Sequence, residues 1–350
     1  MGTVNGRAPV MADVARAAGV SHQTVSRVLN DHPNVRSTTR DRVLVAIREL
    51  GYRPNVAART LVTRRTRTLG VIGFNTTLYG PASMLYGIEQ AAKQHDYFVT
   101  VAALAALDRR SVLDAVERLR DQAVEGIIVI APQTTAVGAL ANVPSDVPLV
   151  AVGCGTHASL ASVAMDNEAG AQRATSYLLD LGHRTVHHMA GPASWLDAQE
   201  REVGWRRALT DRGAPVPEPL TGGDWSARTG FEHGLRIARD LSVTAVFCAN
   251  DHMALGLLRA LQQAGRRIPQ DVSVVGFDDI PEAEYFGPPL TTVRQDFDEL
   301  GRRALGSLIG LIDRHTGPGT STIPRVSIEP SLVVRTSAAR PPRPAGTDPR

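Results

Sequence analysis

At 350 residues, 43% of them hydrophobic and 5% aromatic, the chain is long enough for about two or three domains with real cores. No apolar run reaches the roughly eighteen residues of a membrane span, and Met1 to Pro9 has no apolar secretion core, so no membrane is expected as partner and the cytoplasm is the expected location. The net charge of +3 is uneven: residues 1–68 carry twelve Arg against Asp13, Asp31, Asp41 and Glu49, a net +8, which leaves −5 for the rest.

A basic head on an acidic body is the electrostatic footprint of a nucleic-acid reader, because neutralising phosphates releases counterions. Cys154 and Cys248 are far apart in apolar surroundings, without metal-ligand spacing, and read as free core thiols in a reducing compartment.

In chain order, Met11, Val14, Ala15 and Ala18 mark the buried face of a first helix. Gly19 breaks it, and Ser21 is a good N-cap for the next. In that second helix Val25, Val28 and Leu29 face inward, leaving His22, Gln23, Ser26, Arg27 and Asn30 outward. A third helix follows Ser37 and Thr38, buries Val43, Ile47 and Leu50, and stops at Gly51 before Pro54. Helix, short turn, then a polar-faced helix is the helix-turn-helix arrangement, whose second helix enters the major groove of double-stranded DNA. Gln pairs bidentately with adenine and Arg with guanine. Ser21, Thr24, Ser26 and Asn30, with Asn34 just beyond, suit phosphate contacts that fix register.

Residues 53–68 carry Arg, Thr, small and β-branched side chains around Leu61. By composition they are either a flexible linker or a short helix too weak to stand alone in water. An apolar side chain on such a cationic helix can wedge between base steps in the minor groove.

From Leu69 short apolar strands alternate with amphipathic helices. Strands are expected at Leu69–Phe74, Tyr97–Ala102, Gly126–Ala131, Leu149–Val152, Thr185–Met189, Ala245–Cys248 and Val272–Gly276. Helices are expected at Ser83–Gln94, Ser111–Gln122, Ala169–Leu181, Asp197–Arg212 and Asn250–Ala264. Repeated βα units predict parallel sheets, divided between two lobes with ligand at the carboxyl ends of the strands. Polar groups follow several strands: Asn250 and Asp251, Asp278 and Asp279, and the stretches around Trp195 and Trp225. Amides, carboxylates and Arg beside an aromatic face suit a polyhydroxylated ligand, although Asn and Asp after a strand also cap helices.

No Gly-rich phosphate loop, nucleophile elbow or metal cluster is visible, so neither enzyme activity, cofactor nor metal is expected. His187 and His188 fall inside a strand pattern, where alternation sends them to opposite faces. A solute-binding protein for transport would fit the body but not the basic head.

Asp13-Val14-Ala15, Ala18-Gly19-Val20-Ser21, Thr24 to Asn30, Gly51 to Asn55 and Ala58 to Leu61 resemble the LacI family of bacterial transcriptional regulators. So do Gly223 to Ala227, Ala249 to Gly256, Ser273 to Asp279 and Pro288 to Phe297, and the resemblance runs from about Met11 to Arg335. It implies an all-α helix-turn-helix head (9–54) behind a flexible start (1–8), then a hinge helix and linker (55–68). The body implied is a two-lobed, periplasmic-binding-protein-like α/β fold. His22, Gln23 and Arg27 would read bases, while Asn55, Ala58, Arg59 and Leu61 would enter the minor groove, Leu61 as the lever. Tyr79, Met165, Asp197, Arg201, Trp225, Asn250, Asp278, Gln295 and Phe297 fall on effector-pocket positions.

Gly153 and Ile130 stand where the resemblance leads one to expect an acidic and a polar residue, and Trp195 and Asp197 where it leads one to expect small hydroxyl residues. The pocket then keeps a sugar-binding rim on a changed floor. Chain crossings are implied near Met165, Arg294 and Pro324. They assign 69–165 with 295–324 to one lobe and 166–294 with 325–336 to the other. Residues 337–350 are Pro- and Arg-rich without heptads, which reads as a disordered tail and a homodimer on a near-palindromic operator rather than a tetramer. The expected function is a repressor of sugar-utilisation genes that a sugar or glycoside effector releases. A regulator that senses a purine or phosphorylated sugar is the alternative.

Overall fold

The computed structural model describes residues 7–29, 32–52, 65–74, 76–104, 108–140, 147–154, 160–315 and 325–342. Expectations placed on residues 1–6, Asn30, the hinge residues Asn55, Ala58, Arg59 and Leu61, and residues 343–350 lie outside the described residues. The chain divides into two compact units at the junction of Thr66 and Arg67.

The first unit holds α1 (Met11–Ala18), α2 (His22–Leu29) and α3 (Ser37–Leu50). Val14, Val25 and Val43 are fully buried at the centre, with Ala18, Val28, Ala46 and Tyr52 around them. Gly19 and Gly51 close α1 and α3 at φ 60° and 61°, left-handed backbone that costs glycine little. The Asp13 carboxylate accepts from Val10 N at 3.0 Å and pairs with Arg7 and Arg16 at 3.3 and 3.4 Å. This buried acid holds the start of α1, where the helix dipole favours negative charge.

Among the described residues the second unit has two sheets. Lobe one contains β1 (Thr68–Phe74), β2 (Phe98–Leu104), β3 (Gly126–Ile130), β4 (Leu149–Val152), β5 (Ala161–Met165) and β10 (Arg325–Ile328), all parallel, in the order β10-β5-β4-β3-β1-β2. Lobe two contains β6 (His187–Met189), β7 (Ala245–Cys248), β8 (Ser273–Asp278), β9 (Thr291–Arg294) and β11 (Ser331–Val333). Its strands are parallel except β11, which runs antiparallel to β9 at the edge.

Lobe-one helices are α4 (Tyr79–Gln94), α5 (Arg109–Asp121), α6 (Thr134–Leu140) and α11 (Phe297–His315). Lobe two has α7 (Asn167–Asp180), α8 (Leu196–Asp211), α9 (Ala227–Arg239) and α10 (Asp251–Gln263). All seven expected strands and all five expected helices form, with ends shifted by a few residues. Four strands were not foreseen: β5, β9, β10 and β11.

The chain passes from one sheet to the other after Met165 and back after Arg294. The crossing expected near Pro324 does not fall there. Arg325–Ile328 pairs in register with Ser162–Met165, and Asp166 N donates to Ile328 O at 2.8 Å. Arg325–Ile328 therefore belongs to lobe one, and the chain crosses at Glu329–Pro330. A four-residue edge strand with alternating burial gives no local sign of which sheet it will join.

The disordered tail is corrected in its first residues. The Ser337 hydroxyl donates to Val274 O at 2.6 Å and accepts from Thr291 N at 2.8 Å, and Ala338 is buried. Residues 337–339 thus pack against the amino-terminal ends of β8 and β9, tied down by hydrogen bonds of Ser337 and Ala339 rather than by apolar pattern. His188 is fully buried between the rings of Trp205 and Phe247, at 5.2 and 4.9 Å, while His187 is half-buried. Burial lowers the His188 imidazole to about 3, so the ring is neutral. Among the described residues no group of His, Cys, Asp and Glu is placed to hold a metal ion, and no helix is long and apolar enough to cross a membrane.

Candidate functional sites: a polar helix face and a cleft cavity

In the head, α2 follows a capped turn. Thr24 N donates to the Ser21 hydroxyl at 3.1 Å, and the Ser21 and Thr24 hydroxyls lie 2.9 Å apart. Arg42, on α3, donates to the carbonyls of Ala18 and Gly19, pinning the turn that sets the angle between α1 and α2. With Val25 and Val28 inward, the other face of α2 is open: His22, Gln23 and Arg27 are exposed, and Thr24 and Ser26 half-buried. Asn34 is exposed before α3. Donors and a cation without a core role are thereby grouped on one short helix.

In the body a cavity of ≈ 300 Å³ opens between the lobes, at the carboxyl ends of the strands. Seven of the nine expected residues line it: Tyr79, Asp197, Arg201, Trp225, Asn250, Asp278 and Gln295. The other two do not. Met165 and Phe297 are buried in the lobe-one core, Phe297 presenting its ring edge-on to Tyr79 at 6.0 Å. Phe297 therefore positions Tyr79 instead of lining the cavity. Leu78, Pro81 and Met84 on the lobe-one side, and Trp195 and His252 on the other, line it too. Leu78 and Pro81 were missed because α4 starts four residues before the expected Ser83. His252 is part of the first turn of α10, for which the Asn250 cap was the only signal.

The floor is a buried charge cluster. Asp278 ends β8 at φ 107° and Asp279 follows at φ 54°. These two left-handed residues send one carboxylate into the cleft and the other away from it. Asp279 pairs with Arg294 at 2.6 Å and Arg335 at 2.8 Å. Asp278 accepts from Gln295 Nε2 at 2.7 Å, with the Arg201 guanidinium at 3.5 Å. Burial pushes the Asp278 carboxyl up to about 6 against the pull of Arg201 and the Gln295 bond.

Arg201 is held on every side. Its Nε donates to Asn167 Oδ1 at 2.9 Å, one terminal nitrogen donates to Ala249 O, and the guanidinium lies 3.8 Å from the Phe277 ring centroid. One turn earlier on α8, Asp197 accepts from Asn167 Nδ2 at 3.2 Å, and Glu200 accepts from the same nitrogen at 3.2 Å. Burial raises Asp197 to about 6 and Glu200 to about 7, in each case opposed by Arg201. With Asp197 and Asp278 in the lining and Arg201 already engaged, the floor is acidic.

Asn250 has a structural role as well. It caps α10 by accepting from Met253 N at 2.9 Å and donates to Trp225 O at 3.1 Å. Asp251 is not in the cavity: it is fully buried and accepts from Ile280 N and the Thr292 hydroxyl. Trp225, at φ 70°, meets Trp195 edge-to-face at 5.7 Å. A Cβ on Gly191 would come within 2.4 Å of the Trp225 ring, so only glycine leaves room for that indole. A Cβ on Gly153 would touch Met84 at 3.6 Å, so Met84 fills the space where an acidic side chain was expected.

Residues 10–55 match the family described as bacterial regulatory proteins, lacI family, and residues 175–338 match a periplasmic binding protein-like domain. The lactose operon repressor of Escherichia coli K12 is 34% identical over 94% of this chain and 92% of its own. The HTH-type transcriptional repressor PurR of Vibrio parahaemolyticus is 36% identical over 85% of this chain and 90% of its own. The crystal structure of a lac repressor dimer bound to operator and an anti-inducer superposes with a TM-score of 0.81 at 32% identity, covering 95% of this chain and 100% of that one. The transcriptional regulator CelR in complex with cellobiose gives 0.67 at 33% identity, covering 94% and 100%. With its helix-turn-helix head and its two-lobed body around a cleft cavity, the chain belongs to the LacI family of DNA-binding transcriptional repressors.

Proposed function

We propose that the protein works in the cytoplasm as a homodimer on a near-palindromic operator, represses sugar-utilisation genes, and lets go when a neutral sugar or glycoside fills the cleft. The observation that carries the effector class is the floor of the cavity. Asp197 and Asp278 are buried acceptors, and the arginine between them is already engaged. Hydroxyl donors fit such a floor, and the Trp195–Trp225 corner offers faces for the C–H side of a sugar ring. A phosphorylated effector would bring more negative charge to carboxylates that burial already penalises.

In this reading His22, Gln23 and Arg27 contact base edges, Ser21, Thr24, Ser26, Asn30 and Asn34 contact phosphates, and Asn55, Ala58, Arg59 and Leu61 form a hinge in the minor groove. Release is a population shift, for which the effector must bind one lobe arrangement more tightly than the other. The test is a thermal-shift screen with lactose, cellobiose and a panel of methyl glycosides, followed by operator gel shifts with every sugar that raises the melting temperature. At least one sugar should stabilise the protein and weaken operator binding. A panel that changes neither would sink the reading.

A further inference from the structure

Beside the cavity, a short strap joins the lobes directly. Gln133, just past β3 of lobe one, bridges antiparallel to Trp195, just before α8 of lobe two. Leu196 N donates to Pro132 O at 2.8 Å and Thr134 N to Ser194 O at 3.1 Å. The side chains leave the strap in different directions. Leu196 is buried in a cluster whose other members, among them Ile72, Leu140 and Cys154, all belong to lobe one. Trp195 lines the cavity and packs on Trp225. Asp197, which follows Leu196, is part of the cavity floor. The junction from Ser194 into the first turn of α8 thus holds a lobe–lobe hydrogen-bond pair, an apolar plug and two cavity residues.

We propose that Ser194–Leu196 is a latch that holds the lobes in the operator-binding arrangement, and that the effector opens it by contact with Trp195. The latch rests on the reading of the cleft as an effector site. Its chemistry is that of an interface poised between two states. Two backbone hydrogen bonds and one buried leucine are few enough to break, and packed interfaces switch rather than deform gradually. Trp195 joins the two events because its ring touches the cavity while its backbone bridges to Gln133. It is a positioning residue whose substitution changes the response to effector through the lobes.

The strap supplies its own test. Thr134 and Ser194 face each other across the bridge, where Cβ atoms of an antiparallel pair lie about 4.5–5.5 Å apart, and both are exposed. The native Cys154 and Cys248 are buried with thiols pushed up by burial, so they do not compete for oxidant. The full chain carrying Thr134→Cys and Ser194→Cys should form an intramolecular disulfide under mild oxidation. Oxidised, it should bind operator, recovered by selection from random duplexes with the unmodified chain, within about threefold of the reduced form. It should no longer release operator with a glycoside that acts on the reduced form.

Leu196→Ala should weaken operator binding about tenfold without effector, within the roughly 5- to 150-fold that coupling between sites usually spans. Adding the oxidised cysteine pair to Leu196→Ala should restore that affinity, which a merely destabilised fold would not do. Failure to crosslink, loss of operator affinity on oxidation, undiminished release by the oxidised form, or full affinity of Leu196→Ala would each overturn the latch. If no glycoside acts on the reduced form, the sugar reading fails, and the crosslinking and Leu196→Ala measurements still decide the latch.

Discussion

The head and the cleft solve recognition in opposite ways. The candidate base-reading residues are close together in sequence, exposed on one eight-residue helix, and held by a small apolar core on the other side. The cavity residues come from six separate segments, most are buried, and they lean on each other: Gln295 on Asp278, Asp278 on Arg201, Arg201 on Asn167, Asn167 on Asp197. Contacts on an exposed helix face can be changed one at a time, and operators can diverge residue by residue. A buried charge network changes as a unit, because removing one partner leaves another uncompensated at a cost of about 3–5 kcal/mol.

The sharpest break of that contrast is Asp278→Ala. It should abolish effector-dependent release altogether while leaving operator affinity in the absence of effector unchanged, read by gel shift with and without the active sugar. It should also lower stability by about 3 kcal/mol, because the buried Arg201 loses the carboxylate that lies 3.5 Å from its guanidinium. Normal release by this variant would remove Asp278 from the effector site. Arg27→Ala is the matching change in the head. It should weaken operator binding by about 1–3 kcal/mol and relax preference at one base pair, with effector affinity unaltered. Leu61→Ala should weaken specific binding with the head still folded, and unchanged affinity would sink the wedge. Effects of Arg27→Ala and Asp278→Ala should add when combined, since the two sites share no partner.

The same contrast decided what could be read in advance. The head needed only helical periodicity and turn chemistry: Val14, Val25 and Val43 in the core, Ser21 as cap, Gly19 and Gly51 as stops. In the body the strong apolar strands were plain, but β5, β9, β10 and β11 are set by which neighbour they pair with. Arg325–Ile328 has the alternation of any edge strand, and only Ser162–Met165 beside it puts it in lobe one. Asn250, Asp278 and the stretches around Trp195 and Trp225 were legible as polar groups after strands, but Tyr79 and Gln295 were reached only through resemblance to a family. Met165 and Phe297 came by the same route, and their side chains pack in the lobe-one core. The roles of Arg201 and Asn167 in joining three carboxyls exist only once α7 and α8 have packed.

Gly191→Ala tests how tightly the cavity wall is built. The added methyl would overlap the Trp225 indole, which must then move against Trp195. Overpacking of this kind typically costs about 1–3 kcal/mol. Effector affinity should fall by roughly tenfold, measured by calorimetry, while operator binding without effector is kept. Unchanged effector affinity would mean that the Trp225 ring is not a wall of the bound state.

The smallest effect is a pH dependence, and it separates the two regions most cleanly because the cavity floor holds the carboxyls whose raised values put them near neutrality. Asp197 is raised from 3.8 to about 6 by burial, with Arg201 opposing. A carboxyl raised in the fold binds its proton more tightly there than in the unfolded chain. Its contribution to stability is therefore full below pH 4 and is lost as pH rises through about 6. Asp197→Asn cannot ionise and keeps an oxygen to accept from Asn167 Nδ2. Relative to the unmodified chain, it should gain on the order of 2 kcal/mol between pH 4 and pH 7.5 in chemical denaturation. Glu200 adds to the gain, because the Asp197 charge helps to raise it to about 7, and it can ionise more easily once that charge is gone. His188 has the opposite sign: lowered to about 3, it contributes above pH 6.5 and is lost as pH falls. It titrates alike in both proteins and cancels in the difference. A difference between variant and parent that is flat with pH would mean that the floor is wet enough to ionise freely, and an acidic floor that stays wet would not turn away a phosphorylated effector.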